Sequence, residues 1–323
     1  MASSQDINER IDSVKNVKQI TRAMEMVAAA RLRKAEERIE ALRPYADAIR
    51  RMTRRAVEGS QSLPDIPLLQ EHDSIDRVAL VLVTGDRGLA GAFNSQIIRA
   101  GERRMRELRD EGQEARWYVI GAKGASSVGF RGYELEESYT GFTDRPAYAN
   151  AREVGQDIVS AYADEHIDRA EIFYNGYISP MSQVVRRETL LPLQQADFLG
   201  GEGEGDEDSE EGSGDGGREG GSSGGEDSSD EGPDHSRALW IYEPDPGEIL
   251  KQLAPDYVEI SIYRAMLEST ASEHGARMTA MRSASDNAEE MIDDLTMQAN
   301  RERQAQITQE IMEVVSGAEA TTG

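Results

Sequence analysis

Cysteine is absent from all 323 residues. That excludes disulfides, thiolate nucleophiles, thiol switches and cysteine-ligated zinc or iron–sulfur sites, and it fits a reducing compartment. Histidine is nearly as scarce, and His72, His166, His235 and His274 are scattered without metal-ligand spacing. No apolar run approaches the roughly 18 residues needed to span a bilayer. The N-terminus, M-A-S-S-Q-D-I-N, lacks a basic region followed by an apolar core, so a signal peptide is not expected. The expectation is a soluble or at most peripheral protein. There is no Gly-x-Ser-x-Gly elbow, no His-Glu-x-x-His and no His beside a candidate nucleophile, so no catalytic residue and no metal site is expected.

Positive charge is also in short supply. The formal net charge of −25 would repel phosphates, which argues against a nucleic-acid partner. About half of that charge sits in one place. Residues 200–236 carry 14 acidic side chains against one Arg, and no aliphatic or aromatic residue. Such a segment cannot bury enough surface to offset the entropy of ordering, so it reads as a disordered acidic Gly/Ser insertion. Outside it the chain is still acidic, and the basic residues of the whole sequence are 31 Arg against 5 Lys. An acidic, lysine-poor composition predicts a protein adapted to concentrated salt.

What is present is periodicity. From Ile7 to Met52 apolar residues recur at steps of mostly three, four or seven, with no Gly before Gly59 and only Pro44 to kink the chain. Residues 1–58 therefore read as one helix, a rod of roughly 75 Å. A second long pattern runs from about Pro255 to Val315, within a C-terminal helix assigned to 247–317. Its middle, S-T-A-S-E-H-G-A-R-M-T-A-M, is rich in small residues that let two helix backbones approach closely. Two terminal helices of matching length predict a long antiparallel coiled coil with the middle of the chain inserted between them. That middle, 75–245, has strand candidates at Arg77–Thr84, Arg116–Ile120, Ala170–Tyr174, Val184–Leu193 and Ala238–Tyr242. Helical patterns at Ser95–Glu111 and Ala149–Glu165 alternate with the earlier ones. The alternation predicts a small Rossmann-like α/β domain with a mostly parallel sheet.

The stretch V-T-G-D-R-G-L-A-G-A-F-N (Val83–Asn94) places three glycines after the first strand. Their G-x-x-G-x-x-G spacing is not the dinucleotide fingerprint, and no Gly-Lys-Ser/Thr closes the loop as a P-loop requires. Asp86 would stand where a phosphate should lie. A tight strand-to-helix turn touching protein is the better reading, and no cofactor is expected.

Several stretches in order resemble the γ subunit of F-type ATP synthases over almost the whole chain. They are I-T-R-A-M-E-M-V-A-A-A-R-L-R-K-A (Ile20–Ala35), R-P-Y-A (Arg43–Ala46), the Asp86–Arg87–Gly88–Leu89 segment, Y-E-P-D-P (Tyr242–Pro246) and Ser272–Ala288. The most specific is I-T-Q-E-I-M-E-V-V-S-G-A-E-A (Ile307–Ala320). The resemblance implies a rotor shaft inside a hexamer of α and β subunits, with its foot on the ε subunit and the membrane ring of c subunits. It implies no nucleotide bound by this chain, and a peripheral place on the cytoplasmic face of the inner membrane. It also implies subunit-interface roles. Met24 would face the moving region of β, while Gln304, Thr308 and Glu310 would contact a β loop. Asp86 and Arg87 would lie near the lower β surface and offer charge to a neighbouring subunit. For Met24, Met278 and Met281 plain coiled-coil packing is the alternative. Relatives in chloroplasts carry an insertion at the place of 200–236 with a cysteine pair; here the cysteines are missing, which leaves a solvated loop as the simpler reading and regulation of rotation as the alternative. Two other classes stay open to test: a nucleotide-dependent α/β enzyme, which ligand-induced stabilisation would reveal, and a coiled-coil tether, which would purify as a homodimer.

Overall fold

A computed structural model describes residues 4–59, 66–193 and 246–322. Helix α1 (Ser4–Gly59) is continuous through Pro44. After a short 3₁₀ turn (Pro67–Leu69) the chain builds β1 (Arg77–Val83), α2 (Phe93–Asp110), β2 (Glu114–Ile120), α3 (Ala122–Phe130), β3 (Leu135–Tyr139), α4 (Tyr148–Ala163), β4 (Arg169–Ser179) and β5 (Ser182–Leu191). Helix α5 (Pro246–Thr322) closes the chain. It starts nine residues before the onset read from periodicity and runs through Pro255. At the tenth position of the helix Pro255 forgoes one intrahelical bond, a cost that the buried Leu250, Ala254 and Val258 around it offset by packing on the sheet. The insertion 200–236 and the strand expected at Ala238–Tyr242 lie outside the described residues.

The five strands are ordered β3-β2-β1-β4-β5. The first four run parallel and β5 pairs antiparallel to β4. Central β1, R-V-A-L-V-L-V, is buried on both faces beyond its first residue, which is why it reads as an unbroken apolar run. One face packs on α4 and the lower half of α5, through Val154, Ile158, Leu250, Val258, Ile262 and Met266. The other packs on α2 and α3 through Phe93, Ile97, Leu108 and Val128. Above the sheet α5 pairs with α1. Lys18 meets Glu289 at 3.0 Å and Arg282 meets Glu25 at 2.9 Å. A seven-residue advance on α1 is thus matched by a seven-residue retreat on α5, which fixes an antiparallel register.

Alternation failed to find α3 and β3. The α3 segment, A-K-G-A-S-S-V-G-F, buries only Gly124 and Val128, and β3, L-E-E-S-Y, is an edge strand that buries only Tyr139. Neither carries enough apolar residues to announce a period.

Candidate functional site

In a sheet of this order the connections reverse between β1 and β4, and the crevice at their C-terminal ends is where doubly wound folds take a ligand. Here α5 lies across it. The Ser269 hydroxyl donates to the Val83 carbonyl at 3.3 Å and Ser272 to the Asn175 carbonyl at 3.0 Å, while the single proton of Thr270 is shared between the Thr143 carbonyl at 2.9 Å and the Met266 carbonyl of its own helix at 2.7 Å. The remaining space between Val83, Thr84, Thr143 and Glu273 is about 10 Å³, no more than one water. Small residues in the middle of α5 thus serve two neighbours. Ala271 packs on Leu32 and Ala35 of α1, while Gly275 lets the Pro180 carbonyl pass where a Cβ would stand 3.0 Å from it.

The glycine loop is built around that occupant. A Cβ on Gly85 would sit 2.8 Å from the Glu273 carboxyl carbon. The loop also closes the start of α3. Gly124 N–H donates to Thr84 Oγ1 (3.0 Å), Lys123 N–H to the Gly85 carbonyl (3.1 Å) and Ala122 N–H to Asp86 Oδ1 (2.9 Å). The amides that could cradle a phosphate at a helix start are therefore filled from within the chain. The second oxygen of Asp86 accepts from Gly141 N–H (2.9 Å), Thr143 N–H (3.1 Å) and the Thr143 hydroxyl (2.9 Å). Burial alone would raise the Asp86 pKa. The three backbone donors and the hydroxyl outweigh it and hold the carboxyl below its ordinary value. Beyond Asp86 the loop turns through Leu89 at φ 64° and Gly91 at φ 56°. A leucine in the left-handed region is uncommon, and this one holds its side chain 64% exposed.

Glu273, His274 and Arg277 of α5 form a buried polar group with the loop and with α1. Arg277 pairs with Glu273 and donates to the Gly88 carbonyl at 3.3 Å. It also reaches His274 Nδ1 at 3.3 Å. An arginine can only donate, so that nitrogen accepts and the imidazole is neutral. Burial, seconded by Arg277, brings the His274 pKa down to about 4, against the opposing pull of Asp144. His274 Nε2 lies 3.7 Å from Asp144, whose carboxylate is held by Arg31 of α1. Burial raises the Glu273 pKa and Arg277 opposes the rise.

Met24 and Arg87, expected at an interface, come together. They line one groove of about 470 Å³ with Ile20, Val27 and Leu89, over His274 and Arg277. Ile20, Val27 and Leu89 are more than half exposed. Arg87 points to solvent, whereas the Asp86 carboxylate is used inside the chain, so the two neighbours have different surroundings. Gln304, Thr308 and Glu310 lie elsewhere. They are exposed on α5, about 40–50 Å along the helix from Arg277. The register set by the two ion pairs places Gln304 opposite position 3, where α1 begins. Thr308 donates to the Gln304 carbonyl at 2.8 Å within its own helix. Sequence reasoning missed Glu273, Arg277, Asp144 and Arg31. The available signal was an i, i+4 Glu–Arg pair inside a run of small residues, where solvated charge has no room.

Comparisons with known proteins agree over most or all of the chain. A family model described as ATP synthase matches residues 3–321. The ATP synthase gamma chain of Rubrobacter xylanophilus is 39% identical over 320 residues, 99% of each chain. That of Geobacter metallireducens is 40% identical over 323 residues and all of both chains. Among solved structures, a chain of the Euglena gracilis mitochondrial ATP synthase OSCP/F1/c-ring assembly has a TM-score of 0.62 at 17% identity, covering 98% of this chain and 94% of that one. A chain of the Tetrahymena thermophila central stalk and c-ring has a TM-score of 0.56 at 23% identity, covering 82% and 99%. At those identities the structures attest the fold.

Proposed function

The chain belongs to the ATP synthase gamma chain family, and on that premise we propose that it is the central rotor shaft of an F-type ATP synthase. Rotation of a membrane c-ring enters at the α/β foot, passes up the α1–α5 coil and drives the catalytic β subunits of an α/β hexamer through their binding changes. ATP chemistry belongs to β, and this chain supplies no catalytic residue. The foot takes the ε subunit and the c-ring, which sets the protein as a peripheral component at the cytoplasmic face of the inner membrane. No helix among the described residues is long and apolar enough to cross the membrane itself.

The observation that carries this reading is the upper end of α5. Past the start of α1 the register places no helix among the described residues beside it, yet Ile307, Ile311, Met312 and Val314 are 48–72% exposed there. Apolar residues on a lone helix call for a sleeve from other chains. Gln304, Thr308 and Glu310 stand among them and are assigned to contacts within that sleeve. Met24 and Arg87, in the groove with Ile20, Val27 and Leu89, are assigned to the lower contact with β; Asp86 holds the loop that presents Arg87 and Leu89. Purification from native membranes tests the reading. Recovery with unlike subunits and ATPase activity is expected; recovery as a homodimer without ATPase activity would defeat it and favour a tether.

A further inference from the structure

We propose that the crevice filled by α5 is a torsional lock between foot and shaft, in which Glu273 acts as the positioning residue that fixes the helix's angle about its own axis. The inference rests on the rotor reading above. A helix packed only by apolar contacts is held against its neighbours but weakly against turning, because hydrophobic contact is non-directional. The middle of α5 is especially smooth: Ser269, Thr270, Ala271, Ser272 and Gly275 offer no bulky side chain to interlock. Directional bonds replace that interlock. They leave α5 on several sides, to β1 at Val83, to β4 at Asn175, to the loop before α4 at Thr143 and to the glycine loop at Gly88.

Glu273 is the centre of this arrangement. It is 3% exposed, lies against Gly85 with no space for a Cβ between them, and pairs with Arg277. The circuit then closes through the loops. Asp86 joins the glycine loop to Thr143, the next residue Asp144 holds Arg31 of α1, and His274 lies within 3.7 Å of Asp144. Both helices of the shaft are thereby tied to the foot at one level. Turning α5 by even one residue's angular step would carry Arg277 away from the Gly88 carbonyl and Glu273 off the Gly85 surface. Tyr177 of β4, bonded to Glu36 of α1, adds a second tie on the far side.

The test uses the whole ATP synthase assembled with variant chains. Glu273→Met with Arg277→Met removes both buried charges and keeps apolar volume. Thr270→Val with Ser272→Ala removes two hydroxyl ties without touching a charge, and covers the case in which the first variant fails to assemble. Two quantities are read: the angular fluctuation of a bead on the foot while the hexamer is fixed and stalled, and the ratio of ATP-driven proton pumping to ATP hydrolysis. A lock predicts broader fluctuation and a ratio lowered about threefold in the first variant, and a smaller change in the same direction in the second. A merely structural role would lower hydrolysis and pumping together and leave the ratio alone. An unchanged stiffness and ratio in either assembled variant would overturn the lock. Failure of the wild-type chain to restore ATPase activity would overturn the rotor reading instead, so the two failures are distinguishable.

Discussion

Replacing Asp86 by Ala should unfold the glycine loop before it affects any partner. Two backbone amides, Ala122 and Gly141, have no other hydrogen bond described, and a third, Thr143, shares the second carboxylate oxygen with its own hydroxyl. A hydrogen bond to a charged acceptor contributes about 1.5–3 kcal/mol, and losing a helix cap costs about 1 kcal/mol. Asp86 is half-buried, so water recovers part of the loss. The expected cost is about 2–4 kcal/mol, with Asp86→Asn between Ala and wild type because its NH₂ must face donors. Arg87→Glu is the control: its side chain is exposed and should change stability by no more than about 0.5 kcal/mol.

The assay is urea unfolding followed at Trp117, buried in β2, with Trp240 replaced by Phe to leave one reporter. The effect should also depend on pH. The folded pKa of Asp86 is lowered, so its contribution is complete above the unfolded carboxyl value and is lost as pH falls below it. The wild-type and Ala midpoints should therefore converge in acid. A midpoint for Asp86→Ala equivalent to less than about 0.5 kcal/mol of loss at pH 7 would refute the reasoning, because it would mean that the amides find other acceptors at no cost.

His274 gives a second pH prediction. Its folded pKa is about 4 against an ordinary 6.5, so the unfolded chain takes up the proton first and stability falls between those values, by roughly 3 kcal/mol in total. His274→Gln should flatten the urea midpoint over that window while leaving the contributions of Glu273, Asp144, Arg31 and Arg277 in place; an identical slope would count against a neutral buried imidazole. Glu171 is fully buried and held by Arg104 at 3.2 Å and Arg187 at 3.0 Å. Removing it alone should cost up to about 3–5 kcal/mol in equilibrium unfolding, because Arg104 loses its one buried counter-charge and keeps only the more exposed Glu107 and Glu111, whereas Glu171→Leu with Arg104→Met should cost clearly less. Finally, the net charge of −25 predicts that unfolding midpoints rise from low to molar salt as self-repulsion is screened. Midpoints that do not rise would remove the case for adaptation to salt.

The long helices and the central strands were legible because each repeats one local signal many times. The apolar stripe from Ile7 to Met52 spans many turns, and β1 is a run of six buried residues. Where the signal is local and weak it failed: α3 and β3 are held by their neighbours, and their few buried residues carry no period. The site was half legible for the same reason. Gly85 could be read as a place where something comes close. That the something is Glu273, distant by 188 positions in the chain, depends on how α5 crosses the sheet, which no local pattern encodes.

The identity of that residue is itself informative. A buried Glu–Arg pair seldom stabilises a fold more than apolar side chains of the same volume would, because desolvation offsets most of the attraction. Filling the crevice is therefore not a sufficient reason for Glu273 and Arg277, since leucine and methionine would fill it as well. What apolar residues cannot supply is a preferred angle. Glu273 and His274 orient the Arg277 guanidinium from within α5, and its bond to the Gly88 carbonyl, with the Glu273 carboxyl set against Gly85, is met at one rotation of α5 about its axis. A chain that only had to fold would gain little from such a constraint. One that has to carry torque from foot to shaft without slipping gains a fixed angle, and the stability given up in burying the pair is the cost of holding it.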